Sequence, residues 1–128
     1  TAGLDIVSGD DSKTDELEGF SKYFGARHKH HGYYDYSSHK RYFGHAHEGL
    51  QELNLKGKFN FLASSNLLVA MHSFSSHDGI TKYGNEIDLI IKRKVSDELS
   101  SEFGLVFYDP EEGNDLLTFM YVMFTANF

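Results

Sequence analysis

Ten imidazole and cationic side chains crowd between residues 27 and 47: Arg27, His28, Lys29, His30, His31, His39, Lys40, Arg41, His45 and His47. Imidazole nitrogen suits zinc, copper or nickel, and His45 and His47, two residues apart, would share one face of a strand. The chain has no cysteine, and no paired carboxylate stands at ligand spacing beside them. The stretch is therefore read as a polar loop or lumen-lining segment, with no metal and no cofactor assigned. Its positive charge is the more usable chemistry. Folded against a hydrated wall, Arg27, Lys29, Lys40 and Arg41 would form the main cationic cluster of the chain, the place where an anionic solute would pause.

A second set of charges is arranged by alternation. Glu52, Lys56 and Lys58 interleave with Leu53, Leu55 and Phe59, and Glu86, Asp88 and Lys92 interleave with Ile87, Leu89 and Ile91. Period two places the charges on one face of a strand and the apolar residues on the other. Phe103, Leu105 and Phe107 continue the apolar register, as do Val122, Phe124 and Phe128. The polar residues fit either a hydrated lumen with internal ion pairs or the solvated face of a soluble sheet. Asp109, Glu111, Glu112, Asn114 and Asp115 offer hard oxygen ligands, but not at helix-loop-helix calcium spacing, so they are expected to form an exposed acidic loop. Tyr23, Tyr33, Tyr34, Tyr36, Tyr42, Tyr83 and Tyr108 fit an interfacial aromatic girdle or aromatic packing among loops. No G-x-S-x-G elbow, H-E-x-x-H pair or phosphate-cradling glycine loop is present, and no enzymatic role is expected.

Composition narrows the classes further. The chain has 128 residues and a formal charge of −7, so a single domain is expected, and no basic face is available to displace the counterions of a nucleic acid. Eleven Phe, eight Tyr and twelve Gly against a single Pro favour strands and turns over helices. No apolar run approaches the roughly 18 residues of a membrane-spanning helix. That test leaves open a membrane β-barrel, whose alternating strands average to a hydrophilic score. The chain opens Thr1-Ala2-Gly3-Leu4, without Met or a charged leader, as a mature or trimmed product would.

Positioning these residues requires strands. Alternation predicts them over Gly49–Phe61, Leu67–Ser75, Asn85–Arg93, Leu99–Tyr108 and Leu116–Phe128, with Leu4–Val7 as the end of another. Residues 48–128 are thus regular antiparallel strands, and residues 9–47 form one long loop region with a short hairpin expected around Gly32–Tyr36. Tight turns are expected at Ala63–Asn66 and Val95–Glu98, and longer polar loops after Val7, Ser75 and Tyr108. Outer-membrane barrels have this asymmetry, with short periplasmic turns and longer extracellular loops. Placing the short turns in the periplasm sends the sixth strand inward and leaves the C-terminus on the periplasmic side.

Several stretches also resemble a known family. SGDD (Ser8–Asp11), HKHHGYYDY (His28–Tyr36), GLQELNLKGKF (Gly49–Phe59), NEIDLIIKRK (Asn85–Lys94) and the aromatic terminus are similar, in order and spacing, to the C-terminal part of the alginate-export porins, over nearly the whole chain. The resemblance implies an all-β, antiparallel up-and-down transmembrane β-barrel in a bacterial outer membrane, a channel for passive diffusion of a polar or anionic solute. It also implies membrane lipid and the outer-membrane assembly machinery as partners, the latter through the C-terminal strand. Family barrels are several times longer, and about six strands fall short of the roughly eight needed to close one, so remaining strands from the same or other chains are expected. In this frame the pore-lining candidates are Arg27, Lys29, Lys40, Arg41, Glu52, Lys56, Lys58, Glu86, Asp88 and Lys92. The lipid-facing candidates are Leu53, Leu55, Phe59, Ile87, Leu89, Ile91, Phe103, Leu105, Phe107, Val122, Phe124 and Phe128. Two other readings stay open: a small soluble β-barrel binding an apolar ligand, and a secreted His-rich metal-binding module.

Overall fold

Each predicted alternating run folds as a strand: β1 (Ala2–Val7), β2 (Leu50–Leu62), β3 (Ser65–Ser75), β4 (Lys82–Lys94), β5 (Leu99–Pro110) and β6 (Leu117–Ala126). The computed structural model describes residues 1–11, 13–16, 18–19, 31–34, 48–111 and 115–128. The strands form one six-stranded antiparallel meander in chain order, an open sheet with β1 and β6 at its edges. Among the described residues no helix is long and apolar enough to cross a membrane, a test that does not address strands.

Turn chemistry sets the register. Ala63 and Ser64 close the β2–β3 hairpin, with Ser64 in the left-handed region at φ 60°. The ladder runs from Phe59 opposite Leu67 to Gln51 opposite Ser75, with an irregularity between Asn60 and Leu62. At the same end of the sheet, Ser96 Oγ accepts from the backbone N–H groups of Glu98 and Leu99, holding the β4–β5 turn. At the opposite end, Asp78 accepts from the Ser76 hydroxyl at 2.5 Å and the Ile80 N–H at 3.0 Å. Those bonds hold its exposed carboxyl below the usual range. Long and short connections therefore alternate as expected.

Several boundaries depart from the pattern: β3 begins at Ser65, inside the expected turn, and β5 runs on to Pro110, where pairing of Asp109 with Asn85 takes it out of the expected acidic loop. β4 begins at Lys82, before Gly84, because Gly84 pairs with Phe74 on one side and Pro110 on the other, and two ladders outweigh one residue's weak strand preference. β6 ends at Ala126, where the β5 ladder also ends with Leu99 opposite Ala126. The hairpin expected around Gly32–Tyr36 has no strand in its described part, residues 31–34.

The register divides the sheet into two unlike faces, since directly opposed residues point to the same side. One row runs Leu55, Met71, Ile87, Phe107; the next runs Gly57, Val69, Leu89, Leu105, Met120; a third runs Phe59, Leu67, Ile91, Phe103, Val122. On the opposite face lie Asp5, Glu52, Asn54, His72, Glu86 and Asp88, bordered by Ile90, Val106 and Tyr108. The described core sits on this polar face, in two clusters. Leu50, Phe74, Tyr83 and Tyr108 form one, and Tyr33, Ile90 and Val106 form the other.

Candidate functional site

Burial runs opposite to the rule for a protein in water. Glu52 and Asp88 are 0% exposed and Glu86 is 1% exposed, whereas Leu55, Phe59, Val122 and Phe124 on the other face are 57–68% exposed. Burying a charge costs several kcal/mol unless it is paired, while leaving a large apolar side chain in water forgoes about 1.5–3 kcal/mol. The sheet does both at once, along a band that crosses its strands.

The buried face is held by a chain of side chains from four segments. Glu52 lies between two imidazoles, with His31 Nδ1 at 2.6 Å from Oε2 and His72 Nδ1 at 2.5 Å from Oε1. His72 continues the line: its Nε2 is 3.1 Å from Asp88 Oδ2, close enough for an ion pair but outside hydrogen-bond geometry. Among the described residues, neither Asp88 oxygen nor Glu86 Oε2 has a hydrogen-bond partner. The alternation of β2, β3 and β4 carries these residues to one face, and their registers set them side by side.

Residues 31–34 lie directly on that wall. Glu86 Oε1 accepts the backbone N–H groups of Tyr33 at 2.5 Å and Tyr34 at 2.9 Å. Gly32 permits the approach: its φ is +80°, and a Cβ there would fall 2.5 Å from Glu86 Oε1. The Tyr34 ring stacks on Tyr108 with centroids 5.6 Å apart, and Tyr33 stacks on Tyr121 at 6.3 Å. Burial, with the charges of Glu102 and Asp88 nearby, pushes the Tyr33 phenol up to about 12. Tyr121 itself packs over Gly104, which has no side chain to block the ring, and its hydroxyl donates to Glu102 at 2.5 Å.

Gly32→Ala is therefore expected to lift this segment. A buried hydrogen bond contributes about 0.5–1.5 kcal/mol, so losing the two Glu86 contacts should speed amide exchange at Tyr33 and Tyr34 roughly 5- to 150-fold. Exchange at wild-type rate would show that something other than Glu86 holds the segment.

The sequence-derived candidates are placed as follows. Glu52, Glu86 and Asp88 lie buried on the polar face; Lys56 is half-buried and Lys58 exposed on the same side by alternation. Lys92, half-buried, pairs with Glu102 at 2.6 Å. Leu53, Leu55, Phe59, Ile87, Ile91, Val122 and Phe124 are exposed on the apolar face, and Leu89, Phe103, Leu105 and Phe107 are half-buried there. Phe128 is exposed beyond the end of β6. Arg27, Lys29, Lys40 and Arg41, together with the His45/His47 pair, lie outside the described residues. So does the middle of the acidic loop, residues 112–114.

Sequence reasoning singled out neither Asp5 nor His72. Asp5, His31 and Glu52 each offer a ligand atom within 4.8 Å of the others. Asp5 had no local signal, because β1 is short and its polar face is defined only by pairing with β2. Comparison with known protein families, curated proteins and solved structures finds no match.

Proposed function

We propose that this chain supplies six strands of a bacterial outer-membrane β-barrel, a channel of the alginate-export type through which a polar or anionic solute diffuses without chemical change. The observation that carries the reading is the reversed burial: charges enclosed on one face, bulky apolar side chains exposed on the other. A bilayer removes the second penalty, since the apolar face meets hydrocarbon, while the pairing of Glu52 with His31 and His72 offsets part of the first. Strands β2–β6 have 10 to 13 residues, enough for a tilted crossing that needs about 9–11. The alternating loop lengths fit the same topology.

In this channel the remaining strands, from the same or other chains, pair with the free edges of β1 and β6. The β6 strand, apolar on its outer face, is the element that the assembly machinery engages. Residues 31–34 narrow the lumen, with the half-buried Tyr34 as the aromatic surface that a solute meets. The described wall is acidic, so attraction of an anionic solute falls to Arg27, Lys29, Lys40 and Arg41. The polar wall also weighs against a carrier of apolar ligands, which would need an apolar interior.

The absence of cysteine makes the test direct. Nitroxides attached through Leu55→Cys, Leu105→Cys and Val122→Cys, in chains folded into lipid vesicles, are expected to collide more with oxygen than with a water-soluble nickel chelate. Greater collision with the chelate at all three positions would place that face in water and end the channel reading.

A further inference from the structure

Asp5 and Glu52 are direct cross-strand partners on one face of β1 and β2, and His31 reaches them from the long β1–β2 connection. Opposed residues in such a pair hold their Cβ atoms about 4.5–5.5 Å apart, so two carboxylates here converge by construction. One ligand atom from each of the three residues falls within 4.8 Å of the others. We propose that Asp5, His31 and Glu52 bind a divalent transition metal of the zinc class.

Two further observations point to a cation. First, each carboxylate is oriented by a neighbour that is not itself in the triad: the Asn54 amide donates to Asp5 Oδ2 at 3.3 Å, and His72 holds Glu52 Oε1 at 2.5 Å. Supporting contacts of this kind fix ligand geometry at metal centres. Second, among the described residues no lysine or arginine pairs with Glu52, Glu86 or Asp88. Glu52, Glu86 and Asp88 are wholly buried; among the described residues the ion-pair partners of Glu52 and Asp88 are imidazoles, and the Asp88 oxygens and Glu86 Oε2 accept no hydrogen bond. A divalent ion beside Glu52 offsets that imbalance.

The donor set selects the ion. One imidazole with two carboxylates suits zinc and its neighbours, whereas magnesium and calcium favour all-oxygen shells of six or more ligands. Three protein ligands leave a coordination position for water or for an anionic group of a solute. Because Asp5 is exposed, the ion has a route in, and because His31 belongs to the segment resting on Glu86, binding pins that segment to β1 and β2. The inference goes beyond the channel reading and holds whichever solvent meets the opposite face.

The test titrates zinc chloride into the full chain folded in detergent, following heat release and melting temperature, with cobalt absorption as a probe of the ligand shell. Wild type is expected to take up one equivalent and to melt higher. Asp5→Asn, at an exposed position, and His31→Gln should each weaken binding by about tenfold or more and alter the cobalt spectrum. His77→Gln, in the exposed β3–β4 loop, should change neither. Unchanged zinc affinity in Asp5→Asn, binding lost instead with His45→Gln/His47→Gln, or equal stabilisation by magnesium would each overturn the proposal.

Discussion

If the apolar face meets lipid as proposed, Met71→Arg is expected to destabilise the chain in lipid vesicles by about 2–4 kcal/mol. Met71 lies on an interior strand between Leu55 and Ile87 and is 51% exposed. In water an exposed position of this kind tolerates a charge within about 0.5 kcal/mol. At the midplane of a bilayer the same arginine costs about 2–4 kcal/mol on the lipid face of a barrel. The two environments thus predict different magnitudes for one substitution. Reversible unfolding in urea, measured in thin-bilayer vesicles, reads the difference. A loss of 2 kcal/mol or more supports the membrane face, and a change below 0.5 kcal/mol returns that face to water. Ser73→Arg, beyond the end of the apolar rows, serves as the matched control and should cost much less.

Glu52→Ala should be the most damaging single change on the opposite face, at about 3–5 kcal/mol. Glu52 is the shared partner of His31 and His72 and is 0% exposed. Its loss takes from His31 and His72 the carboxylate they share and weakens the anchoring of residues 31–34. Most of the cost comes from leaving buried polar groups short of a partner, so replacing the network as a whole should be milder. Glu52→Leu combined with His72→Leu and Asp88→Leu is accordingly expected to be more stable than Glu52→Ala alone. Thermal unfolding in detergent orders the variants. A triple variant less stable than Glu52→Ala would mean that the pairs contribute net attraction, and a single variant within 1 kcal/mol of wild type would mean that water already reaches the site.

Much of the architecture was legible in the residues themselves. Ile87, Leu89 and Ile91 alternate with Glu86, Asp88 and Lys92, and that pattern admits one local geometry, a strand with two faces. The alternation of tight and long connections was equally visible in Ser64, Asp97 and the glycine-bearing stretch from Ser76 to Gly84. Gly84 misled because a glycine weakens an isolated strand, whereas pairing on both sides carries this one through. Asp5 was invisible for the converse reason: a six-residue edge strand has too few alternations to declare its faces before its partner is known.

The candidate site was legible only in parts. Glu52, Glu86 and Asp88 stood out as charges on a strand face, but nothing local says that Glu52 lies between His31 and His72 or that Glu86 accepts the amides of Tyr33 and Tyr34. Those contacts join residues 20 to 53 positions apart. By itself the sequence determined the strands, their two faces and the rhythm of their connections, because period two and turn preference are properties of neighbouring residues. Tertiary structure alone decided that the charged face is the buried one and that its charges form a single chain. Burial depends on which distant segment comes to rest on a surface, and here the described residues His31–Tyr34 rest on Glu52 and Glu86.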